Sequence, residues 1–239
     1  MKIREAIILA GGLGTRLRSA VPDLPKCMAP VNGKPFLHYV ISYFQQQGIE
    51  RFIFSLGYKH DVIEEYINVQ CSMLNVQYSN EKEPLGTGGA IRLACEKVTG
   101  NAVAVLNGDT LFKVQLKQMF LFHNQCEADC TVALKPMKQF NRYGAVELNR
   151  NGSIASFKEK QWYDEGLING GVYILNSKKF LLESLPDKFS FEKDYLEKYY
   201  QRGMIYGIVQ DEYFIDIGIP EDYERVKKEL NEEGRQINL

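Results

Sequence analysis

The run Leu9-Ala10-Gly11-Gly12-Leu13-Gly14-Thr15-Arg16-Leu17 places three glycines, a hydroxyl and an arginine directly after a short apolar stretch. That pattern suits an anion. Glycines let backbone N–H groups approach a phosphate with no Cβ in the way, and the Arg16 guanidinium can offer a fork of donors to pyrophosphate oxygens. A second basic segment follows, Asp23-Leu24-Pro25-Lys26-Cys27-Met28-Ala29-Pro30-Val31 and then Gly33-Lys34-Pro35. Its prolines stiffen a loop that returns Lys26 toward the glycines as another phosphate ligand. Two common phosphate loops are excluded by spacing. A dinucleotide fingerprint needs glycine or alanine where Leu17 stands, and the second strand ends at Gly57 where that fingerprint needs an acidic ribose ligand. No G-x-x-x-x-G-K-[ST] string occurs.

Carboxylates stand at two further apolar ends, Asp109 in Asn107-Gly108-Asp109 and Asp216 in Phe214-Ile215-Asp216-Ile217-Gly218. Either one alone also fits a helix cap. A second glycine-rich turn, Glu83-Pro84-Leu85-Gly86-Thr87-Gly88-Gly89-Ala90, has room for a flat base against its backbone. The five cysteines form no C-x-x-C pair and the three histidines are scattered, which excludes a zinc ribbon and a disulfide framework. Cys27 lies in the basic loop, but only Lys26 beside it hints at a reactive thiol.

These residues need a scaffold that gathers them. Short β-branched runs at Ala6 to Leu9, Arg51 to Ser55, Val76 to Ser79 and Ala102 to Leu106 alternate with helical patterns at Pro35 to Gln47, Asp61 to Ile67, Ala90 to Glu96 and Leu116 to Asn124. This alternation predicts βαβ units, a mainly parallel sheet and the α/β class. Beyond Cys130 the strands shorten, at Thr131 to Leu134, Ala145 to Leu148, Ile154 to Phe157, Val172 to Leu175, Met204 to Val209 and Tyr213 to Asp216, which reads as a partly antiparallel elaboration. Ser177 to Leu185, Phe191 to Gln201 and Glu221 to Glu233 read as helices, with Ser190 as an N-cap and Glu192 and Asp194 favouring the first turn. The length of 239 residues predicts one domain, 1–239. A net charge of -1 with interspersed signs disfavours nucleic acid, and the N-terminus has too few apolar residues for a signal peptide or membrane span, so a cytoplasmic protein is expected.

The stretch from Leu9 to Leu37 resembles the signature of the sugar-1-phosphate nucleotidyltransferase superfamily, a G-G-x-G-T-R-L loop followed by P-K and K-P, and the likeness continues along nearly the whole chain. The resemblance implies a Rossmann-like three-layer α/β/α fold with a mixed, mainly parallel central sheet and a smaller antiparallel sugar-binding elaboration. It implies a reaction that joins a nucleoside triphosphate to a sugar 1-phosphate and releases pyrophosphate. Arg16, Lys26 and Asp109 would carry the catalysis. The nucleotide would lie on Leu9, Ala10, Gly11, Gly12, Gly14, Thr15, Arg16, Lys26, Glu81, Gly86, Thr87 and Asp109. Mg²⁺ would sit on Asp109 and Asp216, an oxygen set suited to a hard cation. Arg142-Tyr143-Gly144, Phe157-Lys158-Glu159-Lys160 and Ile168-Asn169-Gly170-Gly171-Val172-Tyr173 resemble the sugar pocket, which would use Tyr143, Gly144, Glu159, Lys160, Asn169 and Gly170.

Within the short members the chain most resembles the D-glycero-D-manno-heptose 1-phosphate guanylyltransferases, which supply bacterial surface glycans. That likeness rests on Asp23-Leu24-Pro25-Lys26, the Glu83 to Ala90 turn, Phe189-Ser190-Phe191-Glu192-Lys193-Asp194 and Ile215 to Tyr223. Cys27 departs from a P-K-P pattern there. Glu81 stands where uridylyl and thymidylyl relatives often place glutamine, and a carboxylate can accept from both N1–H and N2–H₂ of guanine. Mannose 1-phosphate as acceptor, or uridylyl or thymidylyl transfer to another sugar, are the alternatives, and self-association is left open. A sugar-nucleotide sensor would have lost Arg16, Lys26 or Asp109. A glycosyltransferase would carry a D-x-D motif, which the strand ends do not supply.

Overall fold

The structure, a computed structural model, describes residues 2–12, 17 and 20–233, the last three of them by backbone alone. The first half runs β1 (Glu5–Leu9), a small hairpin of β2 (Pro30–Val31) and β3 (Lys34–Pro35), α1 (Phe36–Gln46), β4 (Arg51–Leu56), α2 (His60–Gln70), β5 (Asn75–Asn80), α3 (Gly86–Cys95) and β6 (Ala102–Asn107). The second half contains β7 (Thr110–Phe112), α4 (Leu116–Gln125), β8 (Cys130–Phe140), β9 (Ala145–Leu148), β10 (Ile154–Phe157), β11 (Tyr163–Asn176) and α5 (Ser177–Leu181). It ends in α6 (Glu197–Tyr199), β12 (Ile205–Val209), β13 (Phe214–Asp216) and α7 (Pro220–Glu233).

Among the described residues nine strands form one sheet, with β5, β4, β1 and β6 side by side and parallel. The long β11 runs antiparallel to β6 through its second half and antiparallel to β9 through its first, while its other edge carries β8 and, parallel to that, β12. The remaining pair, β7 with β13, is a separate antiparallel ribbon beside the end of β6.

Period-2 alternation of the strand residues divides the core in two. Ala6, Ile8, Phe52, Phe54, Ala104 and Leu106 point to one face, where they meet Phe36, Leu37, Val40, Ile41 and Phe44 of α1 together with α2, α4 and α7. Ile7, Ile53, Val103 and Val105 point to the other, under α3, α5 and the 191–196 turn. The outcome is the expected three-layer α/β/α arrangement with helices on both faces.

Several boundaries differ from the sequence expectation. Thr131 to Leu134 and Val172 to Leu175 are only the buried parts of β8 and β11; both strands continue through polar residues because they pair with each other almost to their far ends, from Leu175 with Cys130 to Tyr163 with Phe140. The helix expected to start at Ala90 begins at Gly86. The helix expected to reach Leu185 ends at Leu181, beyond which Leu182 is solvent-exposed and supplies no buried face. In place of one α-helix over Phe191 to Gln201, residues Phe191–Leu196 form a wider π turn, closed by the Glu197 N–H on the Glu192 carbonyl. Phe191, Tyr195 and Leu196 are thereby buried together, with Phe191 and Tyr195 stacked at 5.3 Å.

Candidate active site

The strand registers set Leu9 beside Ser55 and Asn107, and Ser55 beside Ser79, so the carboxyl ends of four parallel strands finish level. The chain steps from β1 outward to β4 and β5, then crosses back to place β6 on the other side of β1. Such a reversal opens a crevice at the strand ends, where α/β proteins bind ligands. A cleft of about 700 Å³ lies there, and Leu9, Ala10, Gly11, Gly12, Lys26, Glu81, Gly86, Thr87 and Asp109 all line it. Gly11 has to be glycine: a Cβ would stand 2.9 Å from the Gly57 amide nitrogen and 3.1 Å from Glu81 Oε1. Gly14, Thr15 and Arg16 lie outside the described residues.

On one side of the cleft Lys26 Nζ donates to Asp109 Oδ2 at 2.6 Å and to Asp216 Oδ1 at 3.1 Å. Three segments meet at this point: the loop turn at Lys26–Met28, the residue after Gly108, and the end of β13. The β7–β13 ribbon, Asp216 against Thr110, brings the two aspartates together from positions far apart in sequence. Burial favours the neutral amine, but attraction to both carboxylates and the hydrogen bonds Lys26 donates to them outweigh it, and the Lys26 pKa is raised. Asp216 also accepts the Gly218 N–H at 2.8 Å and the Tyr143 hydroxyl at 3.3 Å. Arg142, which pairs with Asp222 in the first turn of α7, comes within 3.8 Å of Asp216.

On the opposite side, Glu81 is half-buried and its Oε2 accepts the Leu85 N–H at 2.8 Å. Burial raises its pKa, and the Leu85 hydrogen bond opposes that rise in part. The first turn of α3 is clipped to the segment before the π turn. Phe189 N–H donates to the Leu85 carbonyl at 3.0 Å, and Gly88 N–H donates to the Phe189 carbonyl at 2.9 Å. The Thr87 hydroxyl accepts the Phe191 N–H at 2.9 Å and donates to Glu192 Oε2 at 2.8 Å.

This arrangement corrects the expectation that all three glycines of the turn, Gly86, Gly88 and Gly89, receive a base. Gly86 lines the cleft, but a Cβ on Gly88 would fall 2.2 Å from the Phe189 ring and one on Gly89 would fall 2.3 Å from the Asp187 carbonyl oxygen. Those two glycines are there for close packing.

The expected sugar-binding residues are brought together only in part. Tyr143 joins the charged cluster through Asp216. The Asn169 side chain is engaged within β11, donating to the Tyr173 hydroxyl at 2.9 Å and accepting the Gly171 N–H at 3.0 Å. Gly170 is buried, and a Cβ there would stand 2.4 Å from the Phe112 ring. Gly144 packs on the Lys158 carbonyl, where a Cβ would stand at 2.3 Å, and so draws the 158–160 segment against β9. Glu159 and Lys160 are exposed and do not line the cleft.

Glu192, read from sequence as a helix-start residue, does line it. Ser190 is the expected N-cap, its hydroxyl accepting the Lys193 N–H at 3.2 Å. Arg142 and Asp222 were read only inside the runs Arg142-Tyr143-Gly144 and Ile215 to Tyr223, without a role of their own, and only their opposite charges hinted at a pair. Cys27 is buried, and burial together with the nearby Asp109 charge pushes its thiol up to about 12, which rules out a resting thiolate nucleophile.

Residues 5–233 match the family described as Nucleotidyl transferase. The chain belongs to that family. It is 55% identical over 226 residues to the D-glycero-alpha-D-manno-heptose 1-phosphate guanylyltransferase of Aneurinibacillus thermoaerophilus, covering 95% of this chain and 98% of that protein. It is 46% identical over 219 residues to the Campylobacter jejuni enzyme of the same name, covering 92% and 96%. The crystal structure of HddC from Yersinia pseudotuberculosis superposes with a TM-score of 0.84 at 38% identity over 95% of this chain and all of that one, and HddC has also been solved in complex with GMP-PN.

As a nucleotidyltransferase the chain has a donor set that fits a small hard cation. Among the described residues no group of three or more His, Cys, Asp or Glu side chains forms a protein-only cage. Asp109, which lines the cleft, and Asp216, which shares Lys26 with it, instead offer two carboxylates, which suits Mg²⁺, a cation that takes one or two protein carboxylates and completes its shell with water and substrate phosphate. No helix among the described residues is long and apolar enough to cross a membrane.

Proposed function

We propose that this protein transfers GMP from GTP to D-glycero-α-D-manno-heptose 1-phosphate, giving GDP-heptose and pyrophosphate. One observation carries the reading: a single cleft has a carboxylate suited to guanine, Glu81, on one wall, and on the other Lys26 and Asp109, which Lys26 joins to Asp216. Identity of 55% to a protein named for that reaction, over almost the full length of both chains, supports it.

The reaction is an in-line displacement. A phosphate oxygen of the sugar 1-phosphate forms a bond to the α-phosphorus, and the bond from that phosphorus to the bridging oxygen of pyrophosphate breaks. No covalent intermediate on the protein is needed, in keeping with the protonated Cys27. The chain's task is to hold two anions together and to neutralise charge. Gly11 and Gly12 leave backbone open to the triphosphate, and Arg16, four positions after Gly12 in the sequence, would neutralise the leaving pyrophosphate. The Glu81 carboxylate, held by the Leu85 N–H, accepts from guanine N1–H and N2–H₂. Lys26 supplies a point charge to the α-phosphate region. Asp109 and Asp216 would hold Mg²⁺, which would supply Lewis-acid neutralisation of phosphate charge. Tyr143 orients Asp216. Lys160 and Glu159 serve the acceptor only if their exposed segment folds onto it. Soluble substrates of this kind fit a cytoplasmic enzyme with no nucleic-acid or membrane partner.

Turnover of GTP, UTP, dTTP and CTP with heptose, mannose and N-acetylmuramic acid 1-phosphates, read as pyrophosphate release, tests the proposal. GTP with the heptose phosphate is expected to be the fastest pair. A preference for UTP or dTTP removes the role given to Glu81, and a preference for mannose 1-phosphate removes the acceptor. Asp109→Ala is expected to abolish pyrophosphate release while retaining the fold, and near-normal release by that variant overturns the metal assignment.

A further inference from the structure

Lys26 is placed both as a phosphate ligand and as the partner of the carboxylates expected to hold the metal, and one ammonium cannot occupy both positions. Its Nζ lies within hydrogen-bonding distance of Asp109 Oδ2, 2.6 Å, and Asp216 Oδ1, 3.1 Å. The Lys26 side chain is only 14% exposed, against 33% and 22% for the two aspartates, so water does little to screen the three charges. Mg²⁺ binds carboxylate oxygens at roughly 2.0–2.1 Å, inside the reach of this ammonium. Two cations in that space would repel each other at close range.

We propose that Lys26 is the resident counter-ion of the Asp109–Asp216 pair and that a divalent cation enters by exchange, displacing the ammonium toward the nucleotide phosphates. This rests on the reading of Asp109 and Asp216 as metal ligands. Three features of the site carry it. Without a cation in place, two carboxylates that share one position repel each other, and Lys26 relieves that repulsion. Once displaced, the buried ammonium needs a new anionic partner, because an unpaired buried charge is costly. The remaining acidic side chains lining the cleft, Glu81, Glu83 and Glu192, lie with the α3 wall and the loop before it, and a triphosphate laid over Gly11 and Gly12 brings the anion to Lys26. Metal and nucleotide therefore bind with positive coupling: the cation frees Lys26 for phosphate, and phosphate accepts the Lys26 that the cation displaces.

The test is Mn²⁺ binding to the full chain without nucleotide, read by electron paramagnetic resonance and calorimetry. Lys26→Met and Lys26→Gln are expected to bind Mn²⁺ more tightly than the wild type by roughly tenfold, within the 5–150-fold range usual for coupled sites. Lys26→Arg keeps the charge and is expected to stay weak. Adding Asp109→Asn to Lys26→Met is expected to remove the gain. Equal Mn²⁺ affinity in the wild type, Lys26→Met and Lys26→Gln, with loss on Asp109→Asn, overturns the exchange and leaves the metal site standing. Binding that ignores Asp109→Asn overturns the metal site itself. A measurement free of substitutions uses the wild-type chain: Mg²⁺ is expected to speed acetylation of Lys26 by acetic anhydride, read by mass spectrometry, and unchanged labelling at saturating Mg²⁺ overturns the proposal.

Discussion

Gly88→Ala separates the two roles a glycine-rich turn can have, ligand approach and internal packing. Built on the present backbone, the new Cβ would lie 2.2, 2.3 and 2.8 Å from three atoms of the Phe189 ring, where carbon atoms normally approach no closer than about 3.5 Å. The ring cannot turn away freely. It is 4% exposed, packs on Phe180 and under the Arg92 guanidinium, and its backbone is tied to Leu85 and to Gly88 itself. Alanine gains about 1 kcal/mol of helix propensity over glycine. Overpacking a filled core typically costs about 1–3 kcal/mol, and two ring atoms more than about 1 Å too close, with a third also inside contact distance, belong at the upper end. A net destabilisation of about 1–2 kcal/mol is therefore expected, read as a lower urea midpoint at constant slope. Phe189→Leu removes much of the obstruction, so the double variant is expected to be more stable than the sum of the single changes predicts, by about 1 kcal/mol. A Gly88→Ala protein as stable as the wild type, or strictly additive behaviour with Phe189→Leu, refutes the packing role and returns Gly88 to the ligand.

Three other outcomes follow from the same geometry. His123 is buried against the Thr131 hydroxyl, and burial, reinforced by the nearby Lys179 charge, lowers its pKa from 6.5 to about 4. As pH falls from 6.5 toward 4, the unfolded chain takes up a proton that the native state refuses, so stability drops by up to about 3 kcal/mol. Urea midpoints across that range should flatten in His123→Gln, and an equal slope in both proteins contradicts the assignment. Cys27, with its thiol near 12, has about one part in ten thousand as thiolate at pH 8, so iodoacetamide should label the half-buried Cys71 and Cys126 first. Prior labelling of Cys27, or loss of turnover in Cys27→Ala, counts against a passive role. Tyr143→Phe deletes a 3.3 Å contact to Asp216, which keeps its Lys26 and Gly218 donors, so about 1 kcal/mol, roughly fivefold in kcat/KM, should be lost. A change of a hundredfold would mean that the hydroxyl touches the reactants.

The parallel half of the fold was legible because its signals are local and repeated. Each of β1, β4, β5 and β6 is a compact β-branched or aromatic run, and the helix over Phe36–Gln46 shows its buried face in the spacing of Phe36, Leu37, Val40, Ile41 and Phe44. The antiparallel half was harder. The first half of β11, with Asp164 and Glu165, has no apolar alternation of its own and is held as strand by β8. The π turn at Phe191–Leu196 likewise follows from the need to bury Phe191, Tyr195 and Leu196 together, which a 3.6-residue period does not reveal.

The site divides along the same line. Leu9 to Gly12, Lys26, Glu81, Gly86, Thr87 and Asp109 were readable because each follows a parallel strand or lies in a proline-stiffened loop, and level strand ends gather them without further contacts. Asp216 reaches the cluster only through β7 pairing with β13, a non-local contact between two short runs. Glu192 shows why an isolated motif misleads. Its position two residues after an N-cap serine gives it a local explanation, yet its carboxylate accepts from Thr87, 105 positions earlier in the chain, and it forms part of the cleft wall. The clip between the first turn of α3 and the 187–192 segment therefore ties the Glu81 side of the cleft to the second half of the chain. A displacement of either partner is felt at Thr87, through the Phe191 N–H that it accepts and the Glu192 carboxylate to which it donates.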